Sequence, residues 1–94
     1  MATFIVSYDL VQQGQNYTCI IKKLKEYGTH WHAQESVWLI ETGESAIEIR
    51  DNLRKCLDAN DKLLVARLEG EAAWYGYSDE ISRWLKARLE KVKG

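Results

Sequence analysis

The stretch FIVSYDL, residues 4–10, decides how this sequence is read. From 3 to 9 the residues are mostly β-branched or aromatic, which is the composition of a strand, and the polar run QQGQN at 12–16 breaks it. This strand stops on a carboxylate. A side chain placed where a strand runs out into a loop is held by the sheet and still reaches solvent. Asp9 is therefore placed either to satisfy loop amides or to serve as a ligand.

Reading outward, YTCIIKKLKEYG at 17–28 repeats Tyr17, Ile20, Ile21, Leu24 and Tyr27 at helical spacing, with Gly28 as the stop and lysines 22, 23 and 25 on the other side. THWHAQ at 29–34 and ESVWLIET at 35–42 read as a hairpin pair bent at Gln34 and Glu35. Ser45 and Glu48 have the spacing of a capping box that opens a second helix, with Ile49, Leu53, Cys56 and Leu57 as its apolar side and an end near Asn60. DKLLVARLEG at 61–70 is a further strand and AWYGYS at 73–78 a short one. Ser78 or Asp79 caps a last helix with Ile81, Leu85, Leu89 and Val92 inward.

The order strand, helix, strand, strand, helix, strand is the ferredoxin-like split βαβ arrangement. The expected fold is therefore α+β with an antiparallel sheet, plus a C-terminal short strand and helix. Right-handed crossovers stack both helices of the repeat on one sheet face. Strands one and three nevertheless carry apolar residues on both faces: Phe4, Val6 and Tyr8 against Ile5, and Trp38 and Ile40 against Val37 and Leu39. The second face needs a cover. Either the C-terminal helix or a second copy of the chain would provide one, and the expectation here is a homodimer.

A chain of 94 residues, 46% apolar with four tryptophans, supports one core. It is a single domain over 1–94, with the core at about 1–70 and the extension at about 71–94. The formal charge of −1 gives no overall attraction to nucleic acid, so local patches would have to supply it. Cys19 and Cys56 lack zinc-site spacing and are expected to be two reduced, buried thiols. No signal-type segment and no apolar run of about 20 residues is present, so the expectation is a soluble cytoplasmic protein with no membrane partner.

The chemistry centres on Asp9. A carboxylate suits Mg²⁺ or Mn²⁺, and two Asp9 side chains brought together by a twofold axis would either share a proton or hold a divalent cation able to activate water on a phosphodiester. Ser7, Tyr8 and Ser36 would line or support this site. His30 and His32 fall on one face of a strand, where they serve as polar surface, as phosphate or base contacts, or as ligands of a metal if a third group converges. Lys22, Lys23 and Lys25, with Arg50 and Arg54, could flank one groove that grips a nucleic-acid backbone.

FIVSYDL, a helix ending in Tyr27-Gly28, and QESVW at 34–38 together resemble the CRISPR-associated Cas-two family, on Tyr8, Asp9, Tyr27, Gly28, Gln34, Ser36, Val37 and Trp38. ESVWLIET and NDKLLVARLEGEAAW further resemble short SinR-like proteins, relatives of the virulence-associated protein D family. The resemblance implies a ferredoxin-like homodimer with a metal-dependent endonuclease site built from Asp9 of both chains, acting on RNA or DNA. The family usually follows this aspartate with arginines. Here 11–19 reads VQQGQNYTC, so that charge is absent. The alternative is a non-catalytic dimeric module that binds nucleic acid or a protein partner, or a regulatory component of toxin–antitoxin type.

Overall fold

The computed structural model describes residues 1–11 and 15–93; the polar run at 12–14 lies outside them, as do the side chains of residue 15 and of residues 90–93, Val92 among them. Seven elements follow in the order β1 (Ala2–Asp9), α1 (Gln15–Lys25), β2 (Thr29–Gln34), β3 (Val37–Thr42), α2 (Ala46–Arg54), β4 (Lys62–Leu68) and α3 (Asp79–Lys93). The strands form one antiparallel sheet of order β2-β3-β1-β4. This is the ferredoxin-like α+β fold expected from the element order, with β1 as a central strand.

Side chains alternate across a strand, so β1 sends its residues to two different layers. Phe4, Val6 and Tyr8 join Ile20, Leu24, Tyr27, Trp38, Ile40, Ile49, Leu53 and Cys56 in a core between the sheet and helices α1 and α2. Burying each of the larger side chains contributes about 1.5–3 kcal/mol. The capping box at the start of α2 is formed: Ser45 N–H donates to Glu48 Oε1 (2.8 Å) and Glu48 N–H to Ser45 Oγ (3.1 Å). Both helices stop earlier than their periodicity suggests. Hydrogen bonds of i to i−3 type close them, from Glu26 and Tyr27 to Lys23 and Leu24, and from Cys56 and Leu57 to Leu53 and Arg54.

The other sheet face is covered by α3. Leu39, Ile81 and Leu85 are buried there with Ile5, Trp31, Ala33, Leu68, Trp74, Tyr77 and Trp84 packed around them. Arg88 fixes the helix by a two-pronged ion pair with Glu41 (Nε to Oε2 3.1 Å, Nη2 to Oε1 3.0 Å) and lies 4.1 Å over the Trp84 ring. No short strand forms over 73–78. The chain leaves β4 through Gly70 at φ 83° and turns again at Gly76 at φ 87°, a conformation in which glycine is unstrained. Between them Trp74 packs into the second core and donates to Ser82 Oγ (3.0 Å), while Tyr77 donates to Gln34 (2.7 Å). No described helix is long and apolar enough to cross a membrane.

The cysteines correct the expectation of free thiols. Cys19 in α1 and Cys56, two residues past α2, form a disulfide with Cα atoms 5.6 Å apart. They are 37 residues apart in sequence, and only the packing of α1 beside α2 brings them together. A second tie joins the chain leaving β1 to the turn before β4. Asp61 accepts from the backbone N–H groups of Val11 and Asp58 (both 2.8 Å) and from Asn16 Nδ2 (3.2 Å), which also bonds Asp58.

Two measurements check these ties. Closing a loop of this length removes unfolded-state entropy, so reduction or the Cys19→Ser/Cys56→Ser pair is expected to lower the unfolding free energy by ~2–4 kcal/mol in urea titration, and the denatured, unreduced protein should show no reactive thiol. The backbone donors of Asp58 and Val11 hold the Asp61 carboxyl below its ordinary 3.8. Its stabilising effect is therefore complete above pH 3.8 and lost as pH falls through the lower folded-state value. Asp61→Asn is expected to flatten the loss of urea midpoint between pH 5 and pH 3.

Candidate active site at the end of strand one

Asp9 is the last residue of β1 and is exposed. Its parity sends the carboxylate to the face on which Thr3, Ile5 and Ser7 lie, away from α1 and α2. No hydrogen bond or ion pair holds it among the described residues. Its neighbours are set by register: Ser7 two residues back pairs with Val37 on one side and Leu64 on the other, and Asp9 pairs with Lys62. Ser7, Asp9, Lys62 and Leu64 line a shallow hollow of about 170 Å³. Leu64 is 62% exposed, so α3 leaves this corner of the sheet uncovered.

Tyr8 and Ser36 lie behind this strand end. The Tyr8 side chain turns to the opposite face, where its phenol accepts from Trp38 Nε1 (3.1 Å). Burial pushes that phenol above its ordinary value, which keeps it neutral and unsuited to act as a base. The Tyr8 N–H donates to the Ser36 carbonyl (3.1 Å), tying the end of β1 to the turn between β2 and β3. Ser36 thus meets the strand end through its backbone carbonyl.

The histidines lie elsewhere. His30 pairs with Ile40 and His32 with Trp38, which places both on the α1 and α2 side of edge strand β2. His32 stacks on Trp38 at 4.3 Å and 13°, and His30 lies 6.1 Å from the same ring. A backbone carbonyl accepts from one nitrogen of each: Tyr27 O from His30 Nδ1 (3.1 Å) and Glu35 O from His32 Nε2 (2.9 Å), which assigns the tautomers. The structure does not bring them to Asp9, and they pack on Trp38 with no third ligand among the described residues.

The basic residues are on α1 and α2. Lys22 and Lys25 line one hollow with Thr18, Ile21 and Glu26. Arg50 and Arg54 line another with Asp58 and Asp61, and Arg50 pairs with Asp51 (2.9 Å). Lys23 is half-buried on α1. The single groove expected from sequence is two separate hollows, one on α1 and one between α2 and the start of β4, and neither is lined by Asp9.

The donor set bears on metal binding. No group of three or more His, Cys, Asp or Glu side chains able to hold an ion occurs among the described residues. At the hollow one chain offers the Asp9 carboxylate with Ser7 on the same face. That is too little for an all-protein cage, but it fits Mg²⁺, which keeps several waters and binds through one or two carboxylates and substrate phosphates. Lys62 was not singled out from the sequence, because only the strand register sets it opposite Asp9.

A model of the family described as CRISPR associated protein Cas2 matches residues 1–74. The matched span contains β1 to β4 with Ser7, Asp9 and Lys62 and ends before α3. Among solved structures, the chain is similar to a hypothetical protein, TT1823, from Thermus thermophilus, with 26% identity, a TM-score of 0.66, and coverage of 80% of this chain and 90% of that one. The match takes in most of the chain and every element of the ferredoxin-like core, and it supports a CRISPR-associated role of nuclease type in general. The chain belongs to the CRISPR associated protein Cas2 family.

Proposed function

We propose that this protein is a homodimeric, metal-dependent endonuclease that hydrolyses phosphodiester bonds in RNA, with DNA as the second candidate substrate, and that Asp9 of each copy supplies the metal-binding carboxylates. The observation that carries this reading is the state of Asp9: an exposed carboxylate at the end of a central strand, with no partner among the described residues, beside the corner of the sheet that α3 leaves open.

The dimer reading draws on the same corner. Most of the second face is already covered by α3, so a partner is not needed there. What remains is the exposed Leu64 on β4 and the unpaired outer edge of that strand. Open edges of this kind pair readily with another chain. Two copies related by a twofold axis near this corner would bring both Asp9 side chains together. Bound Mg²⁺ or Mn²⁺ would supply an activated water and polarise the phosphoryl oxygens. The protein's part is to fix the carboxylates on rigid strands, with the Tyr8 N–H to Ser36 carbonyl bond holding each strand end in place.

The non-catalytic reading also has an observation behind it. A single chain gathers no group of three metal-ligating side chains around Asp9 among the described residues, and no basic residue occurs between Asp9 and Lys22. The two are separated by assaying purified protein on single-stranded RNA and DNA with Mg²⁺, Mn²⁺ or chelator, beside sedimentation analysis. The expected result is a dimer whose cleavage needs metal. Asp9→Ala and Asp9→Asn should reduce cleavage to the metal-free level and change folding stability by less than about 0.5 kcal/mol, as exposed positions do. Salt-sensitive binding without turnover would select the binding module. A monomer would remove the shared site.

A further inference from the structure

We infer that Lys62 is the phosphate anchor of the Asp9 site. This rests on the reading of Asp9 as the reacting centre and adds the residue that holds the substrate there. Asp9 by itself is a poor neighbour for nucleic acid, because a carboxylate repels the phosphate it must approach. A cation is needed on the same side. Between Asp9 and Lys22 the sequence has none, and the lysines and arginines of α1 and α2 belong to the opposite layer.

The strand register meets this need. Lys62 is the residue directly opposite Asp9 in the β1–β4 ladder. Opposite residues of an antiparallel pair project from the same face, with Cβ atoms about 4.5–5.5 Å apart. Both side chains are exposed and both line the hollow with Ser7 and Leu64.

The ammonium group is also free. The Lys62 side chain takes part in no ion pair or hydrogen bond among the described residues. The adjacent acid, Asp61, already uses both oxygens, one on the Val11 N–H and the other on the Asp58 N–H and Asn16. Asp9 lies alongside, yet no Lys62–Asp9 pair within ion-pair distance occurs. A mobile, strongly hydrated ammonium on a four-carbon stem suits a non-bridging phosphate oxygen, which asks for a point charge rather than a planar fork. The pair thus divides the work: Lys62 binds the phosphodiester, and Asp9 serves the attacking side.

Binding can be read without cleavage. Asp9→Asn protein is titrated against a fluorescein-labelled single-stranded RNA by anisotropy over a range of salt, alone and with Lys62→Gln, Lys62→Arg or Lys86→Gln. Lys86 is exposed on α3, so its variant makes the same charge change elsewhere. Lys62→Gln should weaken binding several-fold and lower the slope of log K against log salt by about 0.7 for each phosphate it no longer neutralises. Lys62→Arg should restore binding, and Lys86→Gln should leave it unchanged. In the Asp9-containing enzyme, Lys62→Gln should raise KM and spare kcat.

Equal slopes for Lys62→Gln and Lys86→Gln would overturn the anchor even if the wild type cleaves RNA. A Lys62-specific loss of binding in a protein that never cleaves would keep the anchor and reject the nuclease. No binding to RNA at any salt would overturn it outright.

Discussion

Everything in this molecule depends on β1 lying inside the sheet, hydrogen-bonded to β3 on one side and β4 on the other. Because side chains alternate along it, this one strand belongs to two layers at once. Phe4, Val6 and Tyr8 anchor the core beneath α1 and α2, and Ile5 anchors the layer beneath α3. The same alternation sends Ser7 and Asp9 to the α3 side just where α3 no longer covers it. The candidate site is thus the end of a strand whose earlier residues are packed on both faces, which gives its carboxylate a rigid support and an open approach.

The two layers differ in how completely their polar atoms are paired. In the first, the buried indole of Trp38 donates to Tyr8, and Tyr27 donates to Glu44 and accepts from Asn52. In the second, Trp31 and Trp84 pack edge to face at 6.4 Å, but both indole N–H groups are buried with no acceptor among the described residues. A buried donor left without an acceptor costs free energy. The Arg88 fork on Glu41 and the apolar contacts of Ile81 and Leu85 offset that cost. The family match also ends at residue 74, before this helix begins. The helix that covers the second face of the sheet therefore lies outside the matched span.

Several side chains chosen from the sequence have structural roles. His30 and His32 have the two-residue spacing of a ligand pair, but Trp38 packs against both rings and backbone carbonyls take one nitrogen of each. Trp74 and Tyr77, read as a strand, are used to close the second core. Cys19 and Cys56 had no spacing that marks a pair, because a disulfide between a helix and the segment that follows another depends on their packing and not on sequence separation.

The sequence by itself determined the elements and their order. Alternation over residues 3–9, helical spacing in 17–28 and the Ser45–Glu48 box are local patterns governed by backbone geometry within a few residues, so they were legible before any packing was known. It also singled out Asp9, because a strand that ends on an acid is visible in one dimension. What tertiary structure alone decided was adjacency: which helix covers the second face, which cysteines meet, and which residue of β4 stands across from Asp9. Those facts follow from register and layer packing between segments tens of residues apart, and a shift of one residue in the β1–β4 ladder would have put Lys62 on the other face.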